Sequence, residues 1–398
     1  MVALRRELHQ HPELGFEEQW TALRLGEELG SLGLEVHPGV GRTGLVAILH
    51  GARPGPTVGL RACLDALPVQ ETTGAPYASQ VAGASHSCGH DAQCASLVGA
   101  AHLLVPLRDR LMGRVAFIFQ PAEEIDQGAR AMLEDHILEL APLEAIFGIH
   151  GNGELPAGSI GLRAGPAMAS IDTVTLHVQG VTGHGALPHR TVDAILVGSA
   201  VVTQIQSIVS RAVDPLEPAV VTIGTFRAGD APNVVAGTAE LSGTVRAASP
   251  DVRQRLLEQI RRVAEGTAAA LGARCAVSFA HGLPPVVNDA PLVAMLREGL
   301  SRTLGGTSIL EPPVVMGGDD FSVFAEQVPG CYVWIGEADP ETGHGHAWHA
   351  ADFDLDERAL PVGAFVLASA ALLRLGLGRA GPGSREVGVG SPGLTEPR

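Results

Sequence analysis

VAFIFQPAEE, residues 115–124, opens with five consecutive apolar residues and closes on two adjacent glutamates. A short apolar run rich in β-branched and aromatic residues is the pattern of a strand buried on both faces, as in a parallel sheet covered by helices. Three more such runs occur at 45–49, 58–62 and 145–149. Helical spacing appears between them, at 17–32 (Trp20, Leu23, Leu29, Leu32), 92–104 and 129–138. Apolar strands separated by helices predict an α/β fold with a mainly parallel sheet.

The pattern changes near Met168. In DTVTLHVQG, residues 172–180, Val174, Leu176 and Val178 alternate with Thr173, Thr175 and His177. That is a strand with one face buried and one in solvent. A helix (193–209), two strands (219–226 and 239–247), a second helix (250–271) and a last strand (273–280) follow. The order β-α-β-β-α-β is that of a ferredoxin-like α+β unit. We therefore expect 1–168 and 284–377 to form one domain, interrupted by an inserted domain at 169–283. The second part of the first domain carries a helix at 291–304, a strand ending in CYVWIG and a final helix. Residues 378–398 have almost no large apolar side chain and are expected to form a disordered tail.

At 398 residues the chain is long enough for about two or three domains. Its net charge of −16 argues against nucleic acid or anionic membrane as partners. The five scattered cysteines do not form a disulfide framework, so a reducing cytoplasm is the expected location. The N-terminus MVALRRELHQHPE has no apolar core of a signal peptide. The apolar run 359–373 is too short to span a bilayer and reads as a docked helix.

Polar residues follow each apolar strand: Asp65 after 58–62, Glu123 and Glu124 after 115–119, and His150 after 145–149. The strand ending in CYVWIG leads to His344, His346 and His349, and SCGHD (87–91) stands just before a helix. In open parallel sheets the carboxyl ends of strands gather on one edge, where ligands bind. This brings together Cys88, His90, Glu124, His150 and one of the three late histidines, for which we take His349. Sulfur, imidazole and carboxylate donors suit zinc and similar divalent ions. Five donors exceed one tetrahedral ion and suffice for two if Cys88 bridges. The other glutamate of the pair is then free to handle protons. Each residue also has a plainer reading. Cys94, Cys275 and Cys331 fall on core positions. His9, His11, His37, His50, His102, His136, His177 and His281 lack clustered partners, and His86 is undecided. Glu123 and Glu124 would serve equally as a charge pair at a helix N-terminus, and Gly183, Gly185 and Pro188 around His184 as a turn.

These motifs resemble the metal-dependent amidohydrolases that include hippurate hydrolases, bacterial aminoacylases, N-acetyl-diaminopimelate deacetylases and plant auxin-conjugate hydrolases, relatives of the dinuclear zinc carboxypeptidases. The similarity covers about 4–376 and rests on RRELHQHPELGFEE, DALPVQE, SCGHD, FQPAEE, GIHGNGELPAGSI, GHGALPH, APNVVAGTAELSGTVR, GGDDFSVFAEQVPG and HAADFDLDERAL. It implies two divalent metal ions (zinc or manganese, with cobalt or nickel as alternatives) on Cys88, His90, Glu124, His150 and His349. It selects His349 because AADFDLDE follows it. It implies Glu123 as general base and acid, and Asp65 as an acidic group near the metals. The inserted domain would be a lid and dimerisation surface, with His184 polarising the scissile carbonyl across a homodimer. Asn233 and Arg246 would hold the substrate carboxylate. Departures from the pattern are Cys63 for an aspartate, Gln93 and Cys94 for His and Thr, Asp319 for a glutamate, and no proline after His349. The expected function is hydrolysis of the amide bond of N-acyl amino acids by a metal-bound hydroxide. The alternatives are a dipeptidase or carboxypeptidase with the same site, a catalytically silent metal- or ligand-binding relative, and a hydrolase using Cys88 and His90 as nucleophile and base.

Overall fold

The run at 115–119 is the centre of the strand Met112–Gln120 in the computed structural model, which describes residues 1–304, 308–339 and 347–377. Along this strand Val115, Phe117 and Phe119 enter one hydrophobic core, and Ala116 and Ile118 enter a second on the opposite face. Burial on both sides is why the run shows no polar alternation. Its parallel neighbours are Arg53–Cys63, then Leu143–Pro156, then Gly330–Ala338. Helices His90–Leu104 and Ala359–Arg374 cover one face, and Phe321 and Phe324 from Phe321–Ala325 pack on the other. The apolar run at 359–373 is thus a core helix, as its sequence suggests.

The outer strands depart from the expected parallel order. Gly44–His50 runs antiparallel to Met112–Gln120, and Glu35–Val40 extends the sheet antiparallel beyond it. The expected helix at 129–138 is two, Gly128–Glu134 and Ile137–Leu140, broken where His136 takes a positive φ of 60°. His344, His346 and the tail 378–398 lie outside the described residues.

Strands Ile171–Gln179, Ala219–Ala228, Thr238–Ala247 and Arg274–Leu283 form a separate four-stranded antiparallel sheet. Helices Ala194–Ala212 and Pro250–Ala270 pack on one face and bury Val174, Leu176 and Val178 with Val201, Ile205, Leu256 and Ile260. Helix Ala194–Ala212 is long and apolar enough to cross a bilayer by composition, with one third of it buried. Its inner stripe (Val197, Val201, Ile205, Ile208) belongs to this core, while Ile195 and Leu196 are 44% and 62% exposed.

Candidate metal centre

Cys88 stands in the loop before helix His90–Leu104, and the intervening Gly89 has a φ of 78°. That backbone conformation favours glycine and lets Cys88 and the first helical residue, His90, face the same edge of the sheet. His90 is fully buried, and its Nδ1 lies 2.8 Å from the Asp65 carbonyl and 3.3 Å from Asp65 Oδ1. Its Nε2 has no hydrogen-bond partner and lies 3.7 Å from Glu123 and 3.9 Å from Glu124. His150 follows the same plan. Its Nδ1 meets the Gly151 carbonyl at 2.8 Å, and its Nε2 lies 3.4 Å from Cys88 Sγ. His349 Nε2 is 3.4 Å from Glu124, whose other oxygen is unpartnered. A backbone carbonyl holding one imidazole nitrogen while the other is aimed at a shared point is the arrangement that orients metal-binding histidines.

The five expected donors divide into two triads, Cys88–His90–His150 and Cys88–Glu124–His349, each with its donor atoms within 4.8 Å of one another. Cys88 belongs to both. Glu123 and Glu124 sit in a turn that precedes helix Gly128–Glu134, so the reading as a helix-terminal charge pair does not hold. Ala122, Asp126 and His349 all hold positive φ (51°, 60° and 66°). Non-glycine residues adopt that region at a cost, and it is often met at functional sites.

Asp65 accepts the Glu124 amide N–H at 2.8 Å as well as facing His90, so it stands behind two donors. The buried carboxylates Glu123, Asp319 and Asp320 cluster within 4.8 Å. Arg61, wholly buried, answers them: it donates to Gln120 at 3.0 Å, to Asp319 at 3.2 Å and to Asp320 at 2.8 Å. Burial, then Asp319 and Glu124, push the Glu123 carboxyl well above its usual range. Burial, then Glu124 and Glu123, likewise raise the Cys88 thiol. His90 is raised to about 9, because Asp65 and Glu124 outweigh the burial that opposes its charge. Burial, aided by His90, holds His150 down to about 4. Crowded negative charge, unpartnered buried atoms and a mixed sulfur, nitrogen and oxygen donor set all fit divalent cations.

Cys88, Glu123, Glu124, His150 and His349 line a cavity of about 350 Å³ that also reaches Asp126, Met168, Ile171, Arg246, Asp319, Trp334 and Trp348. Arg246 donates to the Met316 carbonyl at 3.0 Å. His184 and Asn233 are brought to each other instead. The Gly185 N–H donates to the Asn233 carbonyl, and Val234 pairs with His184. Neither is among the described residues lining this cavity. A larger cavity of about 980 Å³ lies along the second sheet, between His177, Arg227, Glu240 and Arg274, apart from the donor cluster.

Three departures from the expected motifs touch one another. The Cys63 N–H donates to Gln93, and the Cys94 thiol donates to the Cys63 carbonyl. Asp319, the fourth, is the partner of Arg61. None of the four replaces a member of the donor cluster.

His9 is hydrogen-bonded rather than solvated, and the sequence did not reveal its clustered partners. It is buried against Asp91 at 2.8 Å and Glu71 at 3.3 Å, beside Arg5, which also binds Asp91 at 2.8 Å. The i, i+4 spacing of Arg5 and His9 on one helix, Val2–Gln10, was the available signal. His86 is buried 6.3 Å from the His9 ring with both nitrogens unpartnered, and burial lowers it to about 4. Burial opposes the His9 charge, but Asp91 and Glu71 outweigh it and raise His9 from 6.5 to about 9. Its contribution to folding is therefore complete below pH 6.5 and is lost as the pH rises to about 9. His9→Gln should lower Tm most near pH 6, with the deficit closing above about pH 9. A deficit constant across that range would contradict the assignment.

A donor cluster at the carboxyl edge of a parallel sheet defines a candidate metal-binding centre, and the family to which the chain belongs makes it a hydrolase. The chain belongs to Peptidase family M20/M25/M40, whose profile matches residues 59–373. It is 40% identical over 377 residues to an N-acetylcysteine deacetylase of Bacillus subtilis (strain 168), covering 94% of this chain and 97% of that protein. It is 36% identical over 376 residues to thermostable carboxypeptidase 2 of Saccharolobus solfataricus, covering 94% of each. The crystal structure of the Bacillus subtilis YXEP protein, described as a dinuclear metal-binding peptidase, superposes with a TM-score of 0.83 at 38% identity, covering 94% of this chain and 97% of that one.

Proposed function

We propose that this hydrolase cleaves the amide bond of N-acyl amino acids, with Glu123 as the proton-transferring group. The observation that carries the reading is that two donor triads share Cys88 and between them contain all five expected ligands. Cys88, His90, Glu124, His150 and His349 would hold two divalent cations, zinc or manganese. Bound there, such ions acidify water and polarise a carbonyl. Glu123 takes the proton of the attacking water and returns it to the departing amine. Its buried carboxyl, raised by neighbouring acids, is suited to holding a proton between the two transfers. Arg246 faces the cavity as a planar fork for the substrate carboxylate, and Asn233, which sits beside His184 away from this cavity, would join it only from the lid of another subunit.

The inserted unit, 169–283, acts as a lid and as the surface of a homodimer. Two features support this. Strand Ala219–Ala228 is an edge strand with Val220 and Phe226 exposed, and helix Ala194–Ala212 presents Ile195 and Leu196 to solvent. An unpaired edge beside exposed apolar side chains is a surface that proteins normally cover. His184 then serves the site of the other subunit, where it stabilises the oxyanion. Co-assembled Glu123→Gln and His184→Ala subunits, each inactive alone, should regain activity in mixed dimers, since one site there has both groups. Mixtures that stay inactive would contradict His184 acting across subunits. The five free thiols fit a reducing cytoplasm.

Metal stripping should abolish hydrolysis of N-acetyl and N-benzoyl amino acids, and added zinc or manganese should restore it. Activity that survives chelation and falls to thiol alkylation would favour a Cys88 nucleophile instead. A second reading, a carboxypeptidase, has its support in the carboxypeptidase relative. Dipeptides cleaved faster than N-acyl amino acids would favour it.

A further inference from the structure

The polar floor of the cavity has an apolar flank. Trp334 and Trp348, two of the three tryptophans in the chain, stand there with Met168 and Ile171. The two indoles stack at 5.7 Å and 18°. Both meet the His150 ring edge-on, Trp348 at 5.2 Å and Trp334 at 5.8 Å. Trp334 is buried and Trp348 half-buried. The Trp348 side chain is hydrogen-bonded to the carboxylate of Glu337, a buried residue at the end of Gly330–Ala338. Gly151 leaves the space that Glu337 occupies, since a Cβ there would stand 1.9 Å from Glu337 Oε2. Trp348 is thus fixed by a stack on one face and a hydrogen bond, next to His150.

We propose that Trp348, stacked on Trp334 and held by Glu337, is the acyl-side wall of the cavity and selects N-acyl amino acids with a flat aromatic acyl group. The inference rests on the amide-hydrolase reading above. The carbon under attack must lie at the donor cluster beside His150. The acyl substituent is bonded directly to that carbon, so it reaches the rings that touch His150. The amino-acid half extends instead toward Arg246. An acetyl group would leave the indole surface uncovered, whereas a benzoyl ring covers it through aromatic contact and apolar burial.

The test compares kcat/KM of metal-loaded enzyme for N-benzoylglycine, N-acetylglycine and N-acetylphenylalanine, together with binding of each to metal-loaded Glu123→Gln. We expect N-benzoylglycine to exceed N-acetylglycine by at least about tenfold, the equivalent of one good aromatic contact with its buried area. Trp348→Ala should reduce that ratio about tenfold, and Trp348→Phe should keep most of it. The Kd values should follow the same order. Equal loss on both glycine substrates in Trp348→Ala would assign Trp348 a purely structural role and overturn the proposal. So would a preference that follows the amino-acid side chain, with N-acetylphenylalanine best. Hydrolysis of N-acetylglycine with no aroyl preference sinks the wall and leaves the amidohydrolase reading standing. Failure to cleave any of the three sinks both.

Discussion

Glu123→Gln should lower kcat by about 10³- to 10⁴-fold, the upper range for a general acid–base group, while the protein retains its metals. The substitution keeps the shape of the side chain and removes its ability to carry a proton. Glu123 is the one member of the adjacent pair outside the two triads that share Cys88, and it lies beside Asp319 and His90. Burial and four neighbouring acids raise its carboxyl, and glutamine keeps the shape of the side chain in that acidic surrounding without adding a charge. Stability and metal content should therefore change little, and the loss should fall on kcat more than on KM. Glu124→Gln should behave differently, because Glu124 shares a donor triad with Cys88 and His349 whereas Glu123 groups with His90 and Glu124 and with Asp319 and Asp320: metal is lost first and activity with it. Measuring bound metal and kcat on both variants separates the two roles. Equal metal loss in both would show that the pair does not divide its labour.

The largest effect on folding should come from Arg61→Met. Arg61 is fully buried with Asp319 and Asp320, and the Tyr332 hydroxyl also donates to Asp319. Removing one partner of a buried ion pair leaves an uncompensated charge and costs about 3–5 kcal/mol. Here two carboxylates lose their cation. Urea unfolding of the variant should show that loss, and Asp320→Asn in the same background should recover part of it. Arg61→Lys should also fall short of wild type, because an ammonium cannot reach Gln120, Asp319 and Asp320 with one planar fork. A neutral outcome for Arg61→Met would mean that Asp319 and Asp320 are protonated in the folded protein.

The central strands and most of the candidate donor set were legible in the sequence for one reason. A strand buried on both faces is apolar along most of its length, Arg61 with its buried carboxylates being the exception here, and the polar residues after it mark the carboxyl edge where ligands gather. Asp65, the Glu123–Glu124 pair and His150 follow from that rule, and Cys88 and His90 from the helix that begins at the same edge, while the choice of Glu124 over Glu123 and of His349 rests on the family resemblance. The direction of the antiparallel strand Gly44–His50 was not legible, because burial on two faces looks the same in either orientation. The strand Glu35–Val40 was missed because it is a partly exposed edge with an irregular register. Arg61, His9, Trp348 and Glu337 were not legible as parts of the site. Their partners lie 258, 82, 14 and 11 positions away or on other elements, and no periodicity encodes a contact made by tertiary packing. His184 and Asn233 were recovered as neighbours of one another, while their proposed place in catalysis depends on a second subunit.

Metal stoichiometry and position test the account most directly. Crystals of the protein grown with zinc or manganese, with anomalous diffraction recorded at the metal edge, should show two peaks per chain about 3.5–4 Å apart. Cys88 Sγ should lie between them, His90 and His150 should contact one ion, Glu124 and His349 the other, and Glu123 neither. A single ion, ions held elsewhere, or Glu123 bound as a ligand in place of Glu124 would contradict it.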